Sequence, residues 1–333
     1  MPQITISPSQ TVFTAESGET ILAAALRNGH NLPHACQSGV CGSCRARLVS
    51  GKVLPNGEYD DYVLTPDEHA AGMVLLCCNR ADGDVEVDMP AYAGAKAVTV
   101  RTVPARVLSV DVRGADIAVL KVALPKAPPF KFYAGQYMDV LLKDGSRSYS
   151  VANAPAQTDV LEFHIRRHDK GLFSPMLFDG RVKTGTILRL RGPLGGFTLN
   201  GESSRPMIFL GTGTGFAPLK SLLAHLADTA PYRPVHLYHG VRHADELYDE
   251  SELNNLLSRL YGARYTPVLS RPDAAWTGAT GYVQQQLERD YPDLTGCEAY
   301  ACGSPAMIAA ARSVCLARGL DDAAFYSDAF VSN

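Results

Sequence analysis

What this sequence lacks narrows the field first. It has no large excess of charge of either sign: 31 Lys and Arg stand against 34 Asp and Glu, a net of −3 with histidine neutral. No basic face for nucleic acid is therefore expected. No apolar run approaches the ~20 residues that a membrane-crossing helix needs. The start, Met1-Pro2-Gln3-Ile4-Thr5-Ile6, alternates like a strand and lacks the basic segment and apolar run of an export signal. Internal repeats and low-complexity segments are missing too. What remains is an ordinary globular composition, 46 % hydrophobic and 20 % charged, in 333 residues, enough for two or three domains. A cytoplasmic protein without a membrane span is the expectation.

Against these absences, eight cysteines call for a use. In a reducing compartment thiols serve metals rather than disulfides. Three of them stand in His34-Ala35-Cys36-Gln37-Ser38-Gly39-Val40-Cys41-Gly42-Ser43-Cys44, in the order C-x4-C-x2-C. A fourth lies in Leu75-Leu76-Cys77-Cys78-Asn79. This is the ligand spacing of a plant-type two-iron, two-sulfur cluster. Four thiolates hold the irons, while Gly39 and Gly42 let the loop bend and bring backbone N–H groups toward the sulfides. A structural zinc site would pair C-x2-C with a second such pair or with histidines, and neither is present. A disulfide framework would need export. Of the histidines, His236, His239 and His243 lie near a strand end and read as ordinary residues rather than metal ligands.

Ile4–Ile6 and Thr11–Phe13 read as strands, Glu19–Arg27 as a helix ended by Gly29, and Arg45–Val49 and Asp84–Asp88 as further strands. Strand, strand, helix, cysteine loop, strand resembles the β-grasp fold of plant-type ferredoxins. In ferredoxin-like chains the last ligand stands seven residues before the acidic start of the final strand; counting from Asp84 gives Cys77. Cys36, Cys41, Cys44 and Cys77 are then the metal ligands, and Cys78 a packed thiol.

Residues 91–101, with Pro, Gly and Ala nearby and no periodicity, read as a linker between domain 1–90 and a second domain. Ala105–Val112, Ile117–Leu124, Tyr137–Leu142, Val160–Arg166 and Thr186–Arg191 read as the strands of an antiparallel β-barrel, domain 102–201. Within it, Arg147-Ser148-Tyr149-Ser150 puts Arg147 and Tyr149 on one strand face, a guanidinium for phosphate and an aromatic for a planar ring. Gly171-Leu172-Phe173-Ser174-Pro175 reads as a helix start, Ser174 the N-cap and Pro175 the first helical position. The ordered set of R-x-Y-S, then His164-Ile165-Arg166-Arg167, then G-x-x-S resembles the ferredoxin–NAD(P) reductase superfamily. The resemblance implies FAD. Arg147 would hold its pyrophosphate, Tyr149 would pack on the isoalloxazine, and Ser150 would hydrogen-bond near N5 or O4. Gly171 to Ser174 would cap the phosphates, with His164, Ile165 and Arg166 in the same site. Gly192–Phe197 would close the barrel.

From residue 202 on, strand and helix alternate, as in an α/β domain with a parallel sheet. Gly211-Thr212-Gly213-Thr214-Gly215-Phe216-Ala217-Pro218 comes just after a buried-strand run. It is neither the G-x-G-x-x-G fingerprint nor a Walker loop, but a turn there suits a pyrophosphate. Gly240 and Arg242, Ser270 and Arg271, and Cys302-Gly303-Ser304-Pro305-Ala306-Met307 also stand just past expected strand ends. In the superfamily these segments form the NAD(P)H site. Cys302 would lie by the nicotinamide, against the competing reading of a buried strand thiol. Gly303, Pro305 and Met307 would share that crevice. Ser270 and Arg271 match positions that grip the adenosine end. Tyr282 is present, but the Lys that usually helps seize a 2′-phosphate is missing, so NADH is favoured, with Arg271 keeping NADPH open. Phe330 matches an aromatic that covers the flavin, or anchors the last strand.

Ferredoxin, FAD barrel and nucleotide sheet together resemble the reductase components of bacterial oxygenases and the reductase serving CDP-6-deoxyhexulose dehydrase. That implies an NAD(P)H-dependent oxidoreductase, Ser150, Cys302 and Phe330 lying closest to its chemistry. Electrons would pass from NADH through FAD and a [2Fe-2S] cluster to a separate oxygenase or dehydrase. A flavin or ferric reductase with an ancillary cluster, or a non-catalytic redox sensor, are the other classes. A monomer is expected.

Overall fold

The computed structural model describes residues 1–61, 63–90, 92 and 98–330. They form two compact units. One is residues 1–101 with Gly192–Phe197; the other is Thr102–Arg191 with Thr198–Phe330. Much of the expected linker, Ala91 and residues 93–97, lies outside the described residues.

The first unit runs β1 (Gln3–Ser7), β2 (Thr11–Thr14), α1 (Ile21–Arg27), β3 (Arg45–Ser50), β4 (Val53–Pro55), α2 (Pro66–Ala70), β5 (Met73–Leu75), β6 (Asn79–Ala81) and β7 (Val85–Asp88). Five strands make a mixed sheet in the order β2-β1-β7-β3-β5, with β4 and β6 paired apart. Period-two alternation turns Ile4 and Ile6 inward, both fully buried. They stand opposite Val85 and Val87 of the parallel neighbour β7. The first helix begins at Ile21 rather than Glu19, because Thr20 is its N-cap and accepts the Ala23 N–H. Gly29, at φ +83, ends it, and His30 N–H returns to Ala25 O while Gly29 N–H returns to Leu26 O. The sequence reading missed α2 and the strands β4, β5 and β6. Each is three to five residues long, too short for a period to show.

The second unit opens with β8 (Arg101–Arg113), β9 (Ile117–Ala123), β10 (Tyr137–Leu142), β11 (Gly145–Ser150), β12 (Val160–Arg166), α3 (Ser174–Phe178) and β13 (Ile187–Leu194). The strand order is β11-β10-β13-β8-β9-β12. A bridge from Val151 to Phe163 joins the two ends and closes the sheet into a barrel. Leu120, Met138, Phe163, Ile165 and Phe173 fill it.

The rest of the unit is β14 (Met207–Thr212), α4 (Phe216–Thr229), β15 (Val235–Val241), α5 (Glu250–Ser258), β16 (Arg264–Leu269), β17 (Ala279–Thr280), α6 (Val283–Asp290), β18 (Glu298–Gly303), α7 (Pro305–Ala317) and β19 (Phe325–Ala329). The sheet is parallel, in the order β17-β16-β15-β14-β18-β19. The chain leaves β14 for β15 on one side and later returns to β18 on the other. Ligands settle at such a switch point, beyond the strands' C-terminal ends. Among the described residues no helix is long and apolar enough to cross a membrane.

Candidate functional site

In the first unit the loop after α1 takes left-handed backbone at Gln37 (φ +56), Gly39 (φ +78) and Gly42 (φ +73), which curls it around its own sulfurs. The Cys44 Sγ lies 3.3 Å from the Cys77 Sγ. The Ser38 N–H donates to the Cys36 Sγ at 3.4 Å, and the N–H groups of Cys36 and Ser43 donate to the Cys41 Sγ at 3.5 Å. The thiols pair off. The Cys41 S–H holds Cys36 below the usual thiol range and the Cys44 S–H does the same for Cys77, while the two donors are pushed up. Thiolate–thiol pairs ringed by N–H donors form a donor set suited to a soft metal, which would replace the shared protons. The structure thus brings together the four cysteines expected as ligands. A fifth thiol, Cys78, is buried beside them, its Sγ 3.5 Å from that of Cys77.

On the barrel, Arg147 and Tyr149 share a face of β11, opposite Val140 and Met138. The Tyr149 ring leans on Phe173 at 5.7 Å, and burial raises its phenol pKa. Ser150 is buried at the strand's end. Arg147 donates to the Ser146 carbonyl at 2.7 Å. Two expectations change here. Ser174 does not cap α3 with a free hydroxyl: Phe173 holds the cap position, and the buried Ser174 Oγ accepts the His168 N–H at 2.9 Å. Gly171 N–H likewise donates to the His168 carbonyl, so the turn closes on itself. Ile165 is fully buried in the barrel core, and the His164 ring is held between Glu162 and Tyr248.

At the sheet's C-terminal edge, glycines permit close approach. A Cβ on Gly215 would overlap the Cys302 carbonyl, and one on Gly303 would overlap the Thr212 hydroxyl. A Cβ on Gly240 would come within 2.8 Å of Val283, and one on Gly211 within 2.8 Å of Leu219. Gly213, at φ +53, faces the Arg166 guanidinium, 3.4 Å from where its Cβ would be. His239 donates to the Gly213 carbonyl at 3.0 Å; burial depresses its pKa to about 4, so it stays neutral. Pro218 stands in the first turn of α4. Ser304 caps α7 with Pro305 in the first turn, its hydroxyl accepting the Met307 N–H. Ser270 is half-buried against the Val241 carbonyl, and Arg271 is exposed, its N–H on the Arg242 carbonyl. Cys302 is fully buried, and burial pushes its thiol up. Phe330 is half-buried and donates its N–H to the Gly303 carbonyl at 2.8 Å.

Comparison with known proteins matches three family models in order along the chain. They are the 2Fe-2S iron-sulfur cluster binding domain over residues 4–82, the oxidoreductase FAD-binding domain over 104–199 and the oxidoreductase NAD-binding domain over 209–313. The CDP-6-deoxy-L-threo-D-glycero-4-hexulose-3-dehydrase reductase of Yersinia pestis is 38 % identical over 98 % of each chain. The reductase subunit of an aromatic O-demethylase from Amycolatopsis is 38 % identical over 89 % of each. The chain belongs to the ferredoxin–NAD(P) reductase superfamily. Within it, this is a three-domain reductase with an N-terminal [2Fe-2S] domain, an NAD(P)H-dependent electron-transfer oxidoreductase. The crystal structure of the Amycolatopsis cytochrome P450 reductase GcoB superposes with a TM-score of 0.84 at 32 % identity, covering 100 % of this chain and 99 % of that one.

The residues present in the reductase fit its cofactors. The thiol tetrad suits the cluster, and the glycine turn after β14 stands at the strand ends where an open sheet takes a pyrophosphate. A buried ion cluster was invisible in the sequence. Glu162, on β12, accepts from Lys220 of α4 at 2.6 Å and from His164 at 2.9 Å. Lys220 also reaches Asp249 at 3.4 Å and Glu252 at 2.9 Å. Lys220 is only 4 % exposed. Glu162, His164 and Asp249 lie close enough together to hold a metal ion, but the Lys220 ammonium already supplies the cation. Partner charges separated by dozens of residues leave no local signature. A nearby network ties Arg166 and Arg242 to Glu246 at 3.1 and 2.8 Å.

Proposed function

We propose that this reductase takes electrons from NADH and delivers them to a separate protein, a terminal oxygenase or a CDP-6-deoxyhexulose dehydrase. The observation that carries this reading is the four-thiol centre in a chain that also holds flavin and nicotinamide domains. Relatives named for both acceptor classes stand at the same 38 % identity. FAD, held by the barrel residues, would supply the conversion between a two-electron hydride donor and a one-electron cluster.

The chain's own residues have assigned tasks. Arg147 and Tyr149 present a cation and a ring on one strand face, and Ser150 offers a hydroxyl at its end. The Gly211–Gly215 turn and the start of α4 would offer backbone N–H groups to the dinucleotide pyrophosphate. Neutral His239 fixes the carbonyl of Gly213 by donating to it. Arg166 and Arg242 supply positive charge beside that turn. Ser270 and Arg271 sit at the edge assigned to the adenosine, and the missing Lys before Tyr282 favours NADH. Phe330, tethered to Gly303, covers the place where nicotinamide meets flavin. Cys302 acts there through backbone and packing, because its side chain is fully buried.

The test uses purified protein carrying its cofactors. NADH should reduce both ferricyanide and cytochrome c. Cys41→Ser should abolish cytochrome c reduction and transfer to the partner while leaving NADH-to-ferricyanide turnover. Undiminished transfer to the physiological acceptor in Cys41→Ser would instead make the protein a flavin or ferric reductase with an ancillary cluster.

A further inference from the structure

Cys78 has no task in the relay, yet it is held in place as firmly as the ligands. Its side chain is 2 % exposed. Its backbone is fixed on both sides: its N–H donates to the Leu75 carbonyl at 3.0 Å and its carbonyl accepts the Asn56 N–H at 2.8 Å. Two glycines box the thiol. A Cβ on Gly39, inside the cysteine loop, would stand 2.9 Å from the Cys78 Sγ, and one on Gly57 would stand 3.4 Å from it. The box admits a side chain of about cysteine's size and holds its sulfur 3.5 Å from the Cys77 Sγ. A second acceptor, the Glu58 carbonyl, lies farther away at 3.7 Å.

We propose that Cys78 is a positioning residue that donates its S–H to the Cys77 Sγ and thereby raises the reduction potential of the centre that Cys77 ligates. This rests on the reading of Cys77 as a ligand. A ligating Cys77 is a thiolate and cannot donate, so the proton between the two sulfurs belongs to Cys78. An anionic sulfur at the shorter distance outcompetes a neutral carbonyl at the longer one. A hydrogen bond to a ligand sulfur draws off electron density and favours the reduced, more negative cluster; such bonds are among the determinants of iron–sulfur potentials. Backbone N–H groups serve both pairs, those of Cys36, Ser38 and Ser43 at Cys36 and Cys41 and those of Gly39 and Cys77 at Cys77 and Cys44; Cys78 adds a side-chain donor at the second pair.

The test is a redox titration of the full-length protein followed by EPR of the reduced cluster, comparing Cys78→Ala and Cys78→Ser with the wild type. Cys78→Ala should retain the cluster and shift its reduction equilibrium toward the oxidised form by roughly threefold to tenfold, tenfold being 59 mV for one electron. Cys78→Ser keeps an O–H donor in the same box and should hold the wild-type potential or exceed it. An unchanged potential in Cys78→Ala overturns the proposal, as does a fall of equal size in both variants, which would mark a packing effect. If Cys78→Ala loads no cluster, Cys78→Ser decides alone, and a potential below wild type overturns the proposal. A parallel Cys77→Ala variant that keeps an unaltered EPR spectrum would sink the ligand assignment itself, a different failure.

Discussion

The thiol centre of the first unit and the Glu162–Lys220 cluster of the second both gather ionisable groups into a small buried space, and they keep them there by opposite means. The thiols are alike in kind. They stand in pairs, Cys41 with Cys36 and Cys44 with Cys77, and the metal centre they would ligate would supply the positive charge. The ion cluster is mixed in sign and needs nothing from outside, since Lys220 sits among Glu162, Asp249 and Glu252. Desolvation and charge pairing oppose each other at Glu162, and its carboxyl ends below the usual range. A site whose charge is matched by a bound metal serves function; one matched by its own side chains serves architecture. That difference can be tested from either side.

The largest effect should come from the thiols. Cys44→Ala removes half of the Cys44–Cys77 pair. It should eliminate the cluster's visible absorbance and cut NADH-driven cytochrome c reduction by more than the ~10–100-fold typical of losing an outer-shell partner of a metal. The thermal transition of the second unit should not move. A cytochrome c rate within a factor of two of wild type would mean that electrons leave by another route.

The ion cluster should behave in the converse way. Lys220→Met leaves buried carboxylates without their cation, a change that costs about 3–5 kcal/mol when one member of a buried pair is removed. The melting temperature of the second unit should fall while the cluster spectrum of the first stays intact. Adding Glu162→Leu should restore part of the loss, because the uncompensated charge is gone. If the double variant is as unstable as the sum of the singles, Lys220 and Glu162 are not energetically coupled. A smaller effect is expected at the glycine turn. Gly215→Ala drives a Cβ into the Cys302 carbonyl. An overpacking cost of about 1–3 kcal/mol should appear partly as weaker NADH binding, measured by titration of the oxidised enzyme with a non-reactive dinucleotide.

The two regions were unequally legible in the sequence for the same physical reason that they differ in chemistry. Three of the four thiols lie within nine residues, and the spacing between them is itself the geometry of the loop. The strand period likewise forecast β10 and β12 to the residue, and Gly29 the end of α1. Glu162, His164, Lys220 and Asp249 meet only after the chain has folded through some ninety positions, and an isolated Lys in an apolar helix announces no partner. Ser174 shows the limit from the other side. Its Ser-Pro pair is a helix-start signature, but α3 is a single turn whose boundary shifts by one residue when the hydroxyl finds the His168 N–H. The short elements β4 to β6 escaped because three residues cannot display a period.

The smallest effect is a pH slope in the second unit. His239 is fully buried and its folded pKa is about 4, below the ordinary ~6.5; burial depresses His236 in the same direction. Above pH ~6.5 these histidines are neutral in both folded and unfolded chains and contribute no pH dependence. Between ~6.5 and about 4 the unfolded chain binds protons that the folded chain refuses, so stability falls as pH falls, by up to ~1.4 kcal/mol per pH unit for each histidine. Below about 4 the slope from His239 ends. The depressed Glu162 then takes over in the same sense, its contribution present above the ordinary carboxylate range and lost as pH drops through its folded value. Burial depresses the half-buried His30 of the first unit in the same direction. Denaturant melts of the holoprotein across pH 7 to 4.5, read by flavin fluorescence, should show the second unit losing stability as pH falls. His239→Gln, which can still donate to the Gly213 carbonyl but cannot titrate, should reduce that slope by one proton; an unchanged slope would place the refused proton on some other group of the second unit.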